Sequence, residues 1–125
     1  MSLPAGGVDV AMTAGEAMTT AFVNVTRDTG TRKVKLAGAG EKVFGILQAA
    51  VASGEEATIR TSGFSYNVIA DATSSIDDYL ASDASAKGTV TTTDLAEVYA
   101  QVVDATTAAD NITVVEIKKF TLSAS

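Results

Sequence analysis

The densest group of side chains able to do chemistry is Asp77-Asp78, with Asp71 and Asp83 close by in the chain. Carboxylates are hard oxygen ligands, so such a run invites a divalent cation. The spacing, however, lacks the Asp-x-Asp-x-Asp-Gly order and closing Glu of an EF-hand loop. A solvated acidic turn is the expectation, and neither a metal nor any other cofactor is expected. Glu55-Glu56 follows Ser53-Gly54 and reads as exposed charge on a second turn. Ser and Thr are plentiful, but the chain has no His and no Cys, so a hydroxyl nucleophile would need a Lys or terminal-amine base. No Ser-x-x-Lys or Gly-x-Ser-x-Gly arrangement occurs to supply one. Gly38-Ala39-Gly40 lacks the Lys-Ser/Thr of a phosphate-binding loop and the third Gly of a dinucleotide fingerprint, so it reads as a turn. The residue inventory therefore points away from an enzyme.

What remains is charge and its distribution. The 125 residues carry a net charge of -6, which opposes a phosphate-tracking surface, and no nucleic acid is expected as a partner. No apolar run reaches the roughly 18–20 residues that cross a bilayer, and Met1-Ser2-Leu3-Pro4-Ala5 lacks the basic start and apolar core of a leader. No membrane association is expected, and the chain reads as made in the cytoplasm and unprocessed. Between residues 27 and 42, Arg27, Arg32, Lys33, Lys35 and Lys42 outnumber Asp28 and Glu41, about +3 in sum. Between 71 and 110, eight acids including Asp77, Asp78 and Asp83 face only Lys87, about -7. Two ordinary solvated faces would explain this. The functional alternative is a self-assembly patch of Arg27, Arg32, Lys33 and Lys35 on one copy meeting an acidic patch of Asp77, Asp78 and Asp83 on the next, head to tail in a ring.

The elements that must position these groups are short. Gly6-Gly7, Asp28-Thr29-Gly30, Gly38-Ala39-Gly40, Ser53-Gly54, Ser62-Gly63 and Lys87-Gly88 punctuate runs rich in Val, Ile, Thr, Phe and Tyr. Runs of this kind predict an all-β chain, a small barrel-like or sandwich-like body. Two segments leave the reading open, with a short helix as the alternative. Val43, Ile46, Leu47, Ala50 and Val51 fall at helical spacing, as do Leu95, Val98, Tyr99 and Val102, and Thr93-Asp94 offers an N-cap. Both also read as apolar strands, which Gly45 and the β-branched residues favour. These segments open an internal repeat: residues 43–59 lie over 98–114 without a gap, at a shift of about 55. Two similar β units in one body are expected. With only 6% aromatic residues and no Trp, the core must be built from Ala and Val, and Tyr66, Tyr79 and Tyr99, all inside apolar runs, are expected within it. Residues 1–16 and 121–125 are small and polar, so they are read as an N-terminal arm and a C-terminal tail around a single domain of residues 17–120.

A family resemblance attaches to three stretches. Gly38-Ala39-Gly40-Glu41-Lys42-Val43-Phe44-Gly45-Ile46-Leu47, followed by residues 52–63, resembles the capsid decoration, or cement, proteins of tailed bacteriophages. Residues 79–88, ending in Lys87-Gly88, and the closing run 108–115 are similar to the same family, while Ala100 stands where such sequences often carry Gly and residues 116–125 run past the usual last strand. The resemblance implies a compact β-rich body, commonly trimeric, on the outer surface of the phage head. There it would bind the major capsid protein and clamp adjacent subunits, with no catalytic residues and with residues 1–16 as the capsid-facing arm. A phage tail or surface adhesin module recognising a glycan or receptor is the alternative function. It would normally display exposed aromatics.

Overall fold

The computed structural model describes residues 7–28 and 30–123. Nine strands form among these residues: β1 (Val8–Thr13), β2 (Asn24–Asp28), β3 (Lys33–Leu36), β4 (Gly45–Leu47), β5 (Glu56–Ile69), β6 (Tyr79–Ser82), β7 (Gly88–Val90), β8 (Glu97–Val102) and β9 (Asn111–Thr121). There is no helix among the described residues, so the chain is all-β and the helical alternative for 43–51 and 94–103 is not realised. Where Thr93-Asp94 offered an N-cap, the chain makes a tight turn instead. The Ala96 amide donates to the Thr93 carbonyl, and Leu95 takes a left-handed φ of 66°, which a continuing helix forbids.

Alternation drives the strands. In β3 the order Lys33-Val34-Lys35-Leu36 puts Val34, fully buried, between two exposed lysines. Ser62-Gly63, expected as a break between strands, does not end one. Gly63 adopts φ 85° inside β5, so a single 14-residue strand passes through it without the penalty a Cβ would impose. The N-terminal half of β5 pairs with β1 and β4, and its C-terminal half with β9 and, at Ile69, with β7.

That strand divides the molecule into two units of the same design. In the first, β3-β2-β4-β5-β1 run side by side, and a parallel bridge from Ala14 to Val34 brings β1 round to β3. In the second, β7-β6-β8-β9-β5 run side by side, and a parallel bridge from Ile69 to Gly88 brings β5 round to β7. The repeat is a repeat of register. The pairs Asn24–Ile46 and Val25–Gly45 of β2 and β4 recur as Tyr79–Gln101 and Leu80–Ala100 of β6 and β8, every number raised by 55. Phe22 and Asp77 both have left-handed φ, 66° and 74°, and donate to the carbonyls of Leu47 and Val102. Asp28 and Asp83 each accept the amide two residues on, at 3.1 and 2.8 Å.

Each unit encloses one apolar cluster. Val25, Val34, Leu47 and Ile59 lie in the first, and Ile69, Leu80, Val102 and Val115 in the second. The units are sewn together by exchange. Ala86, from the β6–β7 turn, is buried in the first cluster, whereas Ala37, Val43 and Ile46 are buried in the second. Between them Tyr99 donates its hydroxyl to the Asn67 side-chain oxygen, and the Asn67 amide donates to Asn24 Oδ1 at 3.1 Å and to the Phe22 carbonyl at 2.9 Å. Of the expected core tyrosines only Tyr99 is fully buried. Tyr66 and Tyr79 are half-buried, each meeting a phenylalanine edge to face, Phe22 and Phe120.

The ends also differ from expectation. Residues 8–13 of the expected arm are β1, paired with β5 from Val8–Ser62 to Thr13–Glu56. Val10 and Met12 pack on the first cluster and Ala14 is fully buried, so the body begins at or before Val8. Residues 1–6 lie outside the described residues. At the other end Thr121 closes β9, and Leu122 exchanges backbone hydrogen bonds with Leu95 and Ala96. Residues 124 and 125 lie outside the described residues.

Candidate functional site

The basic residues singled out in the sequence do not form one patch. Lys33 and Lys35, two apart on β3, share its outer face, where they oppose Asp28 and Thr26 of β2. Arg27 opposes the buried Val34 and so projects to the other side of the ribbon. Arg32 sits in the hairpin turn with a left-handed φ of 60° and is the one member of the set that stays beside Arg27, the two lining a hollow with Met12 and Asp28. Arg27 instead joins residues the sequence did not group with it: its guanidinium carbon lies 4.9 Å from the centre of the Phe44 ring, and Lys119 Nζ lies 5.4 Å from the same ring.

The acidic residues are likewise divided. Asp77 and Asp78 precede β6 and Asp83 follows it, which places them at opposite ends of the strand, on the order of 16 Å apart at strand rise. Two of the three carboxylates serve the local backbone. Asp78 Oδ2 accepts the Ser75 amide at 2.8 Å, and Asp83 Oδ1 accepts the amides of Ser85 and Lys87 at 2.8 and 2.9 Å. Asp71, from the same run, accepts the Thr89 hydroxyl and the Val90 amide. These carboxylates hold turns in shape, which is what short polar side chains beside a strand end do best.

A groove forms where the two units meet. Its volume is about 490 Å³, and β2 and the segment leading into β4 line one wall while β8 and the end of β9 line the other. Arg27, Lys42 and Lys119 bring positive charge to it, Phe44 and Phe120 supply apolar surface, and Glu97 is the one carboxylate among the described residues that line it. Glu97 is already engaged, accepting the Thr121 hydroxyl at 3.1 Å. Lys119 donates to the Phe44 carbonyl, and its partial desolvation together with the neighbouring Arg27 holds its ammonium below the ordinary lysine range. Sequence reasoning missed this site because Lys119 and Arg27 are 92 residues apart; the Lys118-Lys119 pair at the end of an apolar strand was the available signal.

Ion pairs form elsewhere. Arg60 grips Asp9 with two hydrogen bonds, 2.7 and 3.2 Å, directly across the β1–β5 ladder. The guanidinium holds the Asp9 carboxyl below the usual carboxylate range. Lys87 reaches Asp110 at 2.9 Å. No group of three or more acidic side chains able to hold a metal occurs among the described residues, and no helix there is long and apolar enough to cross a membrane.

Shared architecture is decided by the path of the chain, and here a solved structure matches closely. The N base of the head fiber gp8.5 of bacteriophage phi29 superposes with a TM-score of 0.68 at 11% sequence identity. The fold is similar to that of a phage head-fiber base. The match covers 94% of this chain and 99% of the other, so both units and the strand between them are shared. No family model matches the chain, and no curated protein matches its sequence.

Proposed function

We propose that this chain is a structural protein of a phage particle that sits on the outer surface of the head, binds the major capsid protein and stabilises contacts between its subunits, working as a trimer. The likeness to a head-fiber base along almost the whole of both chains is the observation that carries the reading. The likeness of residues 38–47, 52–63, 79–88 and 108–115 to capsid decoration proteins points the same way. The role is mechanical and not catalytic. A clamp on the assembled shell gains its effect by mass action, because it binds the shell and not the free subunit. The exposed apolar side chains Ile76, Leu95, Val103 and Ile112 on the second unit offer surface for such contacts. A net charge of -6 keeps a densely coated particle in solution.

Mixing the purified chain with undecorated expanded phage heads tests the reading. Saturable binding at symmetry-related positions, seen by electron cryomicroscopy, and a higher disruption temperature for the coated heads are expected. Absence of saturable binding refutes it.

A further inference from the structure

We infer that the groove between the two units is a binding site for an acidic side chain, Asp or Glu, presented by a partner polypeptide. Arg27 and Lys42 have no carboxylate partner among the described residues, and Lys119 has only the Phe44 carbonyl. Two cations therefore lie over a single aromatic ring with no carboxylate paired to either among the described residues, an arrangement an incoming anion relieves. Both cations contact the Phe44 ring and Lys119 holds its carbonyl, but the two like charges raise each other's electrostatic cost. The rest of the lining selects among anions. Arg27 offers a planar fork that matches a carboxylate in two hydrogen bonds. Phe44 and Phe120, with Val43 and Val98 beneath, provide an apolar wall for the methylene stem and backbone that carry such a carboxylate, which a free inorganic ion would leave unused. Glu97 on the rim penalises a doubly charged phosphate more than a singly charged carboxylate. The volume of about 490 Å³ exceeds one carboxylate and suits a side chain with some of its own chain.

Amide NMR of the full chain at low salt, with an end-blocked Glu-containing peptide, its Gln counterpart and inorganic phosphate as probes, tests this. The Glu peptide is expected to give saturable shifts centred on Arg27, Phe44 and Lys119, and the Gln peptide none. Lys119→Met should weaken binding about tenfold, the loss of one charge-assisted hydrogen bond, and Arg27→Gln, which removes the two-bond fork, by more than that. Lys35→Gln on the far face should leave binding unchanged. Glu97→Gln, which keeps the acceptor for Thr121, should tighten it, so the test survives if a groove variant fails to fold. Equal response to the Gln peptide, equal affinity for phosphate, shifts centred on Lys33 and Lys35, or no shifts at all overturn the inference. It stands apart from the head-surface reading: a chain that coats heads yet ignores the Glu peptide refutes this site alone.

Discussion

Replacing Gly45 by Ala probes the close approach of β4 to β5. A Cβ built at this position lies 2.4 Å from the Arg60 carbonyl oxygen and 2.6 Å from Ile59 Cγ2, about 1 Å inside ordinary contact. The Ile59 methyl can turn aside, but the carbonyl cannot. Arg60 is held by Asp9 of β1 on one edge and by Ile46 of β4 on the other, so the backbone has no direction in which to yield without breaking a ladder. Overpacking of a well-filled site costs about 1–3 kcal/mol, and a rigid backbone obstacle puts this case at about 2–3 kcal/mol. For a domain of this length that is a fall in Tm of roughly 6–15 °C. Thermal unfolding followed by far-ultraviolet circular dichroism, with urea titration for ΔG, reads it directly. Gly30→Ala is the control, because there a Cβ meets only Asp28 Oδ1 at 3.6 Å, and its Tm should stay within about 2 °C of the parent. A Gly45→Ala protein that melts as the parent does would refute the argument from close approach.

Two further substitutions test the pairing and the buried network. Asp9→Asn should cost about 0.5–1 kcal/mol at neutral pH, a modest figure because the Asp9 side chain is 38% exposed. Since Arg60 depresses the Asp9 carboxyl when folded, that contribution is complete above the unfolded value near 4 and is lost as pH falls through the depressed folded value. The gap in urea midpoint between parent and variant should therefore close in acid, and a constant gap down to pH 2 would contradict the assignment. Tyr99→Phe leaves the Asn67 side-chain oxygen without its buried donor and should cost about 1–3 kcal/mol in urea unfolding. Burial holds the Tyr99 phenol above its ordinary value near 10, so the parent loses stability as pH rises beyond that value; the variant lacks this loss, and the two should converge in alkali.

Much of this was written in the residue order. Alternation in Lys33-Val34-Lys35-Leu36 announces a strand with one buried face, and the shift of about 55 between 43–59 and 98–114 is the spacing of the two units. Position 45 and its counterpart 100 show where one unit departs from the other. Ala100 is accommodated next to a register shift in the β8–β9 ladder between Val98 and Ala100, while the corresponding β4–β5 ladder begins only at Ile46, one residue past Gly45. Illegible were features that depend on distant segments. Residues 8–13 look like a loose arm because their partner, β5, lies some 50 residues downstream. Asp78 and Asp83 look like a patch because sequence proximity says nothing about a strand standing between them. The groove is assembled from Arg27, Phe44 and Lys119, and only closure of both units brings them together.

The continuity of β5 has a consequence for how such a molecule grows. The two units are joined with no linker: the last strand of one becomes the first strand of the next within 14 residues. β9 is the counterpart of the first half of β5, and it too runs on past its pairing with β5, which ends at Ile117, to Thr121. The architecture is thus written in a form that can be concatenated, each added copy opening on the strand that closes its predecessor. A rod of such β units could be lengthened by tandem duplication alone, with the spacing between units set by strand rise.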